Sequence, residues 1–169
     1  MPPIEFNAPW SRSLRIGTAI FIAIFCVLIL LGFSRLLGEV PRLIMILLPS
    51  VILVTSLAAA IRGYVLTEHE IEIRRLGWTT RLPLDTLQSV EGKADALNNS
   101  VRLFANGGLF SFTGWFWNRQ LKLFRAYATD PSRSVVLRYP NKTIVITPHD
   151  PQQFIVRART FLRAAQFPH

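Results

Sequence analysis

The chain reads as an α+β membrane protein: a two-helix transmembrane hairpin followed by a small antiparallel β-barrel or sandwich capped by a C-terminal helix. Three observations predict this. Two uncharged apolar runs, Ile16–Ser34 and Leu43–Ile61, lie back to back. Short segments with period-two alternation fill the middle of the chain. A well-marked amphipathic stretch ends it. The expected organisation is an N-terminal segment at 1–15, the hairpin at 16–62 with spans at about 16–34 and 43–61, and one domain at 63–169.

Each apolar run is about 19 residues long. At ~1.5 Å per residue that crosses a ~30 Å hydrocarbon layer. Only Arg35–Arg42 separates the runs, so everything after Arg62 returns to the side of the N-terminus. The first run is too long for a signal-peptide core, and Ser34-Arg35-Leu36-Leu37 lacks a small-x-small cleavage pattern. Arg12, Arg15, Arg62, Arg74 and Arg75 flank the spans on that shared side, against Arg35 and Arg42 in the turn. The positive-inside bias therefore puts both termini in the cytoplasm. Pro49 lies inside the second run, where a spanning helix tolerates it if neighbouring groups satisfy the freed carbonyl. Neither run has a central charge, which argues against an ion or proton path through the hairpin.

After the hairpin, Tyr64–Thr67 and Ile71–Arg74 read as two strands around the turn Glu68-His69-Glu70. Gly77 breaks the run, Trp78–Leu84 gives a third strand, and Leu87–Val90 a fourth. Ala94–Trp117 is a loop rich in Asn, Gly and Phe, with Asn98-Asn99 and Gly107-Gly108 as breakers. Alternation returns at Leu121–Thr129, with Leu121, Leu123, Arg125 and Tyr127 on one face. Val135–Tyr139 and Thr143–Thr147 form a hairpin around Pro140-Asn141-Lys142. Asp150 is a good N-cap, Pro151 suits the first helical position, and Gln153 completes a capping pattern. Phe154, Ala158, Phe161, Leu162 and Ala165 then follow at helical spacing, with Arg157, Arg159 and Arg163 off the stripe. The stripe needs an apolar surface, and only the strands supply one.

The net charge of +9 is spread as single arginines among apolar residues, which suits a protein beside anionic headgroups. With no basic recognition helix, nucleic acid is not an expected partner. Cys26 is the only cysteine and falls mid-span, so no intrachain disulfide can form. His69 and His149 have no partners at metal-ligand spacing and read as turn residues. Gly107, Gly108 and Gly114 fit no phosphate-loop pattern. No catalytic residue, metal site or cofactor is assigned. The aromatic loop is the candidate contact surface: Arg102, Trp115, Trp117, Arg119 and Lys122 mix indole rings with cations as interfacial segments do. At least one of Trp115 and Trp117 is expected to be exposed on the membrane-facing side, giving weak contact with anionic lipid.

The stretch Gly107–Thr129, ending Tyr-Ala-Thr, and the later Ile-Thr-Pro…Asp-Pro…Phe of residues 146–154 resemble the bacterial PH-domain family, over roughly Tyr64–Leu162. The resemblance implies a pleckstrin-homology-like fold, a bacterial inner or plasma membrane, and no shared reaction. Inositide-binding relatives carry basic residues at the first hairpin; here that turn is Thr67-Glu68-His69-Glu70, with the wrong charge for phosphates. The function expected is a non-enzymatic interaction module at the cytoplasmic membrane face, with a protein partner. One alternative is a subunit of a larger membrane transport or envelope-assembly complex. The other is an enzyme acting on lipids, which would need two convergent carboxylates in a pocket.

Overall fold

The computed structural model describes residues 3–34 and 38–166, with the side chains of 163–166 left aside. Arg35 in the inter-span turn, and the side chains of Arg163 and Ala165, therefore lie outside the described residues. Strand β1 (Ile4–Asn7) precedes helices α1 (Arg12–Gly32) and α2 (Glu39–Ala58). Strands β2 (Ile61–Leu66), β3 (Glu70–Arg75), β4 (Thr79–Pro83), β5 (Ser89–Gly92), β6 (Val101–Gly107), β7 (Phe112–Asn118) and β8 (Lys122–Ala128) follow. A 3₁₀ turn at Pro131–Arg133 leads to β9 (Val135–Tyr139), β10 (Lys142–Ile146) and helix α3 (Pro151–Gln166).

The strands form two open sheets, and no barrel closes. One sheet has the order β1-β2-β3-β4, the other β5-β9-β10-β8-β7-β6. All pairings are antiparallel except β8 with β10, which run parallel because β9 returns the chain between them in sequence. The antiparallel expectation therefore fails at one seam.

Strand β1 is an element the sequence reading does not predict. It pairs with β2 from Ile4↔Leu66 to Asn7↔Gly63. The helical hairpin is thus inserted between two adjacent antiparallel strands, and both of its ends are tied to one sheet. The helices start and stop earlier than the apolar runs: α1 begins at Arg12 on an N-cap from Ser11, whose Oγ accepts from the Leu14 N–H at 3.1 Å. β2 begins at Ile61, so Arg62 and Gly63 belong to the strand and are not a linker. α1 and α2 are both long and apolar enough to cross a membrane. Few of their residues are buried within the chain, and Ile20, Ile24, Val27, Leu30, Leu47 and Val54 are among those that stay exposed. α2 runs through Pro49 without a break, and the Ser50 hydroxyl donates to the Ile46 carbonyl at 2.6 Å.

The main core lies between the sheets. Tyr64, Leu66, Ile71, Ile73 and Leu82 of the first sheet meet Val135, Leu137, Ile144 and Ile146 of the second. Helix α3 adds Phe154, Ile155, Ala158 and Phe161, with Phe154 wholly buried and edge-on to Phe6 at 5.2 Å. Its expected cap is present: the Gln153 N–H donates to Asp150 Oδ1 at 2.9 Å. A smaller core on the other face of the second sheet holds Phe116, Leu121, Phe124, Ala126, Val136 and Val145, covered by Ala96.

A buried hydroxyl cluster joins the sheets. Tyr64 Oη donates to the Tyr127 carbonyl at 2.7 Å and accepts from the Thr147 N–H at 3.2 Å. Thr147 Oγ1 accepts from the Thr129 N–H at 2.8 Å. The Tyr-Ala-Thr and Ile-Thr-Pro markers are therefore the residues that lock β2 onto the ends of β8 and β10. Burial pushes the Tyr64 phenol up to about 12, so it stays neutral, as its donor role requires.

Candidate interaction surface

The region read as an aromatic loop is a β-hairpin, β6–β7. Its irregularities hid it: β6 carries a register shift between Arg102 and Phe104, and Gly114 opposite it has φ +137°. A Cβ at Gly114 would lie 2.2 Å from the Phe104 carbonyl, so only glycine admits that approach.

The hairpin turn docks on α1. Thr18 Oγ1 donates to the Gly108 carbonyl at 3.0 Å and accepts from the Phe110 N–H at 3.1 Å. Trp10, just before α1, packs against Phe110 at 6.1 Å. At the other helix end, the Gly77 N–H donates to the Ala58 carbonyl at 2.8 Å, so the β3–β4 turn seats on the C-terminus of α2. These two turns define the helix-side edge of the domain.

Cross-strand pairing fixes which side chains share a face. Trp117 sits between Val101 and Leu123; Trp115 sits between Phe104 and Arg125. Arg125 in turn pairs with Ile144, a core residue. This is therefore the core-facing side of the second sheet, continued past the edge of the first sheet. Among the described residues nothing covers it there: Phe104 is 84 % exposed, and Val101, Trp115, Trp117 and Leu123 are all exposed.

Cations and rings alternate across the same face. Arg125 lies 5.7 Å from the Trp115 ring and 5.1 Å from Tyr127. Arg75 also lies against Tyr127, 4.8 Å from its ring, and 5.0 Å from the ring of Trp78. The row Trp115–Arg125–Tyr127–Arg75–Trp78 thus bridges both sheets, from the β6–β7 hairpin to the β3–β4 turn. Desolvation lowers the Arg75 pKa from its ordinary value, and its Nε is buried without a hydrogen-bond partner.

The five residues singled out from the sequence do not form one cluster. Trp115 and Trp117 share the open face. Arg119 and Lys122 lie at the β7–β8 turn, the end of the hairpin away from α1; Lys122 takes φ +58° there. Arg102 pairs with Phe116 and lines a cavity of about 190 Å³ with Leu97 and Phe112, on the opposite face. Trp117 and Arg119 also line a larger cavity of about 690 Å³ with Asp95, Asn98, Asn118 and Gln120. Sequence reading puts Phe104 in the aromatic stretch without singling it out, and misses Arg75 and Trp78 as contact residues. Arg125 and Tyr127 had been placed on one face by alternation, correctly, whereas Leu121 leaves that face at the turn before Lys122 and enters the smaller core.

A family model described as Bacterial PH domain matches residues 62–160, more than half of the chain. The chain belongs to the bacterial PH-domain family. Comparison with curated proteins and with solved structures gave no match. In this PH-domain chain the matched segment begins at Arg62, so β1, α1 and α2 precede it.

Many of the chain's carboxylates are engaged in ion pairs or turns. Glu5 and Glu72 face Arg74, Glu70 and Glu72 face Arg81, and Glu91 faces Arg138. Asp95 and Asp130 line one shallow cavity together, with Ser11, Ser13 and Ser132. Asp95 accepts from Asn98, and Asp130 caps the 3₁₀ turn through Ser132 and pairs with Arg133. No group of three or more His, Cys, Asp or Glu side chains able to hold a metal occurs among the described residues.

Proposed function

We propose that this chain is a membrane-anchored, non-enzymatic interaction module whose PH-like domain presents the open face of β6–β7–β8 to a protein partner on the cytoplasmic side. The observation that carries this reading is the uncovered core-type face, with Val101, Phe104, Trp115, Trp117 and Leu123 on it. A contiguous apolar face of this kind marks an interaction site more often than it marks nothing. Aromatic anchors beside arginine suit the energetic centre of a protein interface.

Anchoring rests on the apolar exteriors of α1 and α2, most of which stay exposed among the described residues. Trp10 and Trp78 stand beside the helix ends, as aromatic residues do at a bilayer interface. Arg12, Arg15, Arg62, Arg74 and Arg75 all lie on the domain's side of the helices, which supports a cytoplasmic domain. A tethered domain needs no lipid affinity for recruitment, because the tether sets a high effective concentration. Trp117 stands five residues along β7 from the end docked on α1, ~17 Å of strand. That exceeds the ~5–8 Å depth of one headgroup layer and favours a protein over lipid as the occupant.

In-cell photocrosslinking tests this. A photoreactive residue at Phe104 should give a protein adduct of discrete mass, whereas the same probe at Val156, an equally apolar exposed site on α3, should not. Lipid-only adducts at Phe104 would overturn the protein partner. Adducts found instead from probes on α1 or α2 would favour the larger membrane complex.

A further inference from the structure

On the outer face of the first sheet the arginines are neutralised within the chain. Arg74 is held by Glu5 at 2.6 Å and by Glu72 at 3.7 Å, and Arg81 lies 3.5 Å from both Glu70 and Glu72. Arg75 is the next residue along β3, and alternation puts it on the core side with Ile71 and Ile73. There it meets Arg125 of β8. The Arg75 guanidinium is 4.8 Å from the centre of the Tyr127 ring, and that of Arg125 is 5.1 Å from the same ring. The two charges therefore lie within ~10 Å of each other, one Debye length at 0.1 M salt. Neither has a carboxylate partner among the described residues.

This like-charge pair is uncompensated within the chain. Desolvation lowers the Arg75 pKa, and the Arg125 charge lowers it further. Arg75 Nε is buried without a hydrogen-bond partner. The phenol that the two arginines share supplies no countercharge, because burial raises the Tyr127 pKa and keeps it neutral. Ring stacking orients an arginine and attracts it, but leaves its charge in place. Arg125 is exposed and Arg75 half-buried, so an anion from outside can approach. The pair also adjoins the open face of β6–β7–β8: Arg125 is 5.7 Å from the Trp115 ring, and Phe104 lies across from Trp115.

We infer that the occupant of the open face is an acidic segment of a partner protein, whose Asp or Glu side chain, flanked by apolar residues, seats against Arg125 and Arg75. The inference rests on the reading of this face as a protein-binding surface and specifies the partner's chemistry. Charge complementarity carries it: two guanidiniums without a counterion stand at the edge of an apolar patch. A carboxylate matches the fork of guanidinium donors, and the match strengthens as the interface excludes water. Arg125 is already stacked on Trp115 and Tyr127, so little side-chain freedom is lost when it engages. The apolar neighbours of the acid then cover Phe104, Trp117 and Leu123, which no headgroup phosphate could do.

The test uses the full chain in cell membranes, with the photoreactive residue at Phe104. Arg125→Gln should lower the yield of the protein adduct about tenfold, the loss of one charge-assisted contact. Arg125→Lys, which keeps the charge but not the fork, should lose less. Arg157→Gln, the same charge change at an exposed site on α3, should leave the yield unaltered. The crosslinked partner peptide should contain Asp or Glu among apolar residues. Changing that acid to its amide should cost as much as Arg125→Gln, and both changes together should cost no more than either alone. Equal losses in Arg125→Gln and Arg157→Gln would reduce the effect to overall charge and overturn the acidic partner. So would an unchanged yield in Arg125→Gln, additive losses, or a crosslinked peptide without an acid. Loss of lipid adducts in place of protein adducts in Arg125→Gln would assign the pair to an anionic headgroup and overturn it too. A parent chain that gives no protein adduct at Phe104 fails the open-face reading itself, a result distinct from a parent adduct that is indifferent to Arg125.

Discussion

At the β9–β10 end of the second sheet, Val135, Leu137, Ile144 and Ile146 face the first sheet and α3 and are at most 2 % exposed. At the β6–β7 end, on the same face, Trp115 is 38 % and Phe104 84 % exposed. Residue type does not distinguish the two ends; cover does. The first sheet has four strands and the second six, so the outer strands of the longer sheet extend beyond their partner. At the covered end the apolar side chains are accounted for by stability. At the open end the same kind of side chain stabilises little within the chain, and its presence calls for something outside it.

The largest effect belongs to the covered end. Phe154→Ala should destabilise the protein by about 3–5 kcal/mol, because its ring is fully buried between β1 and the core and the site has little room to collapse. Denaturant unfolding in detergent micelles measures it, and a loss below about 1 kcal/mol would mean that α3 does not complete the core.

The joint between the two ends comes next. Gly114→Ala places a Cβ against the Phe104 carbonyl at a positive φ, a strain of about 1–3 kcal/mol or more. The damage should be confined to β6–β7: amide exchange should rise in Val101–Asn118 and stay low in β9 and β10. Uniform loss of protection would show that the hairpin and the covered core unfold as one unit.

At the covered end, Tyr64 links stability to pH. Its phenol ionises at about 12 in the folded chain against about 10 when unfolded. A raised acid pKa favours the neutral form in the native state. The contribution is therefore whole below pH 10 and is lost progressively as the pH rises toward 12. Tyr64→Phe should be less stable at neutral pH by about 1–3 kcal/mol, since it leaves the Thr147 N–H without its buried acceptor. It should also lose stability less steeply above pH 10 than the parent chain.

Much of the covered end was legible in the sequence, and little of the open end. Asp150-Pro151 marked the start of α3, and Pro140-Asn141-Lys142 marked the β9–β10 hairpin, because caps and tight turns are local signals. The two apolar helices were equally plain, though their ends shifted by a few residues. β1 was missed because Ile4–Asn7 is only four residues long and its partner lies beyond both helices. β6 and β7 were read as a loop because a bulge and a glycine at positive φ interrupt their alternation. The cation–ring row was invisible for a different reason: Arg75 and Tyr127 are far apart in sequence and meet only when the two sheets pack. Tryptophan and arginine content pointed to the right hairpin but gave no face, so Arg102 was grouped with side chains that lie across the strand from it.

The smallest expected effect on stability is the most informative. Replacing both Trp115 and Trp117 by serine in the full chain removes two exposed rings and one cation–π contact, which at an exposed site contributes about 0.5–1 kcal/mol. Unfolding stability and the Phe104-photocrosslinked partner adduct should be measured on this one double variant. The expected result is a stability change of no more than about 1 kcal/mol together with loss of the adduct. Destabilisation of several kcal/mol, or an adduct of undiminished yield, would contradict it and make the open face part of the fold or bystander to the partner.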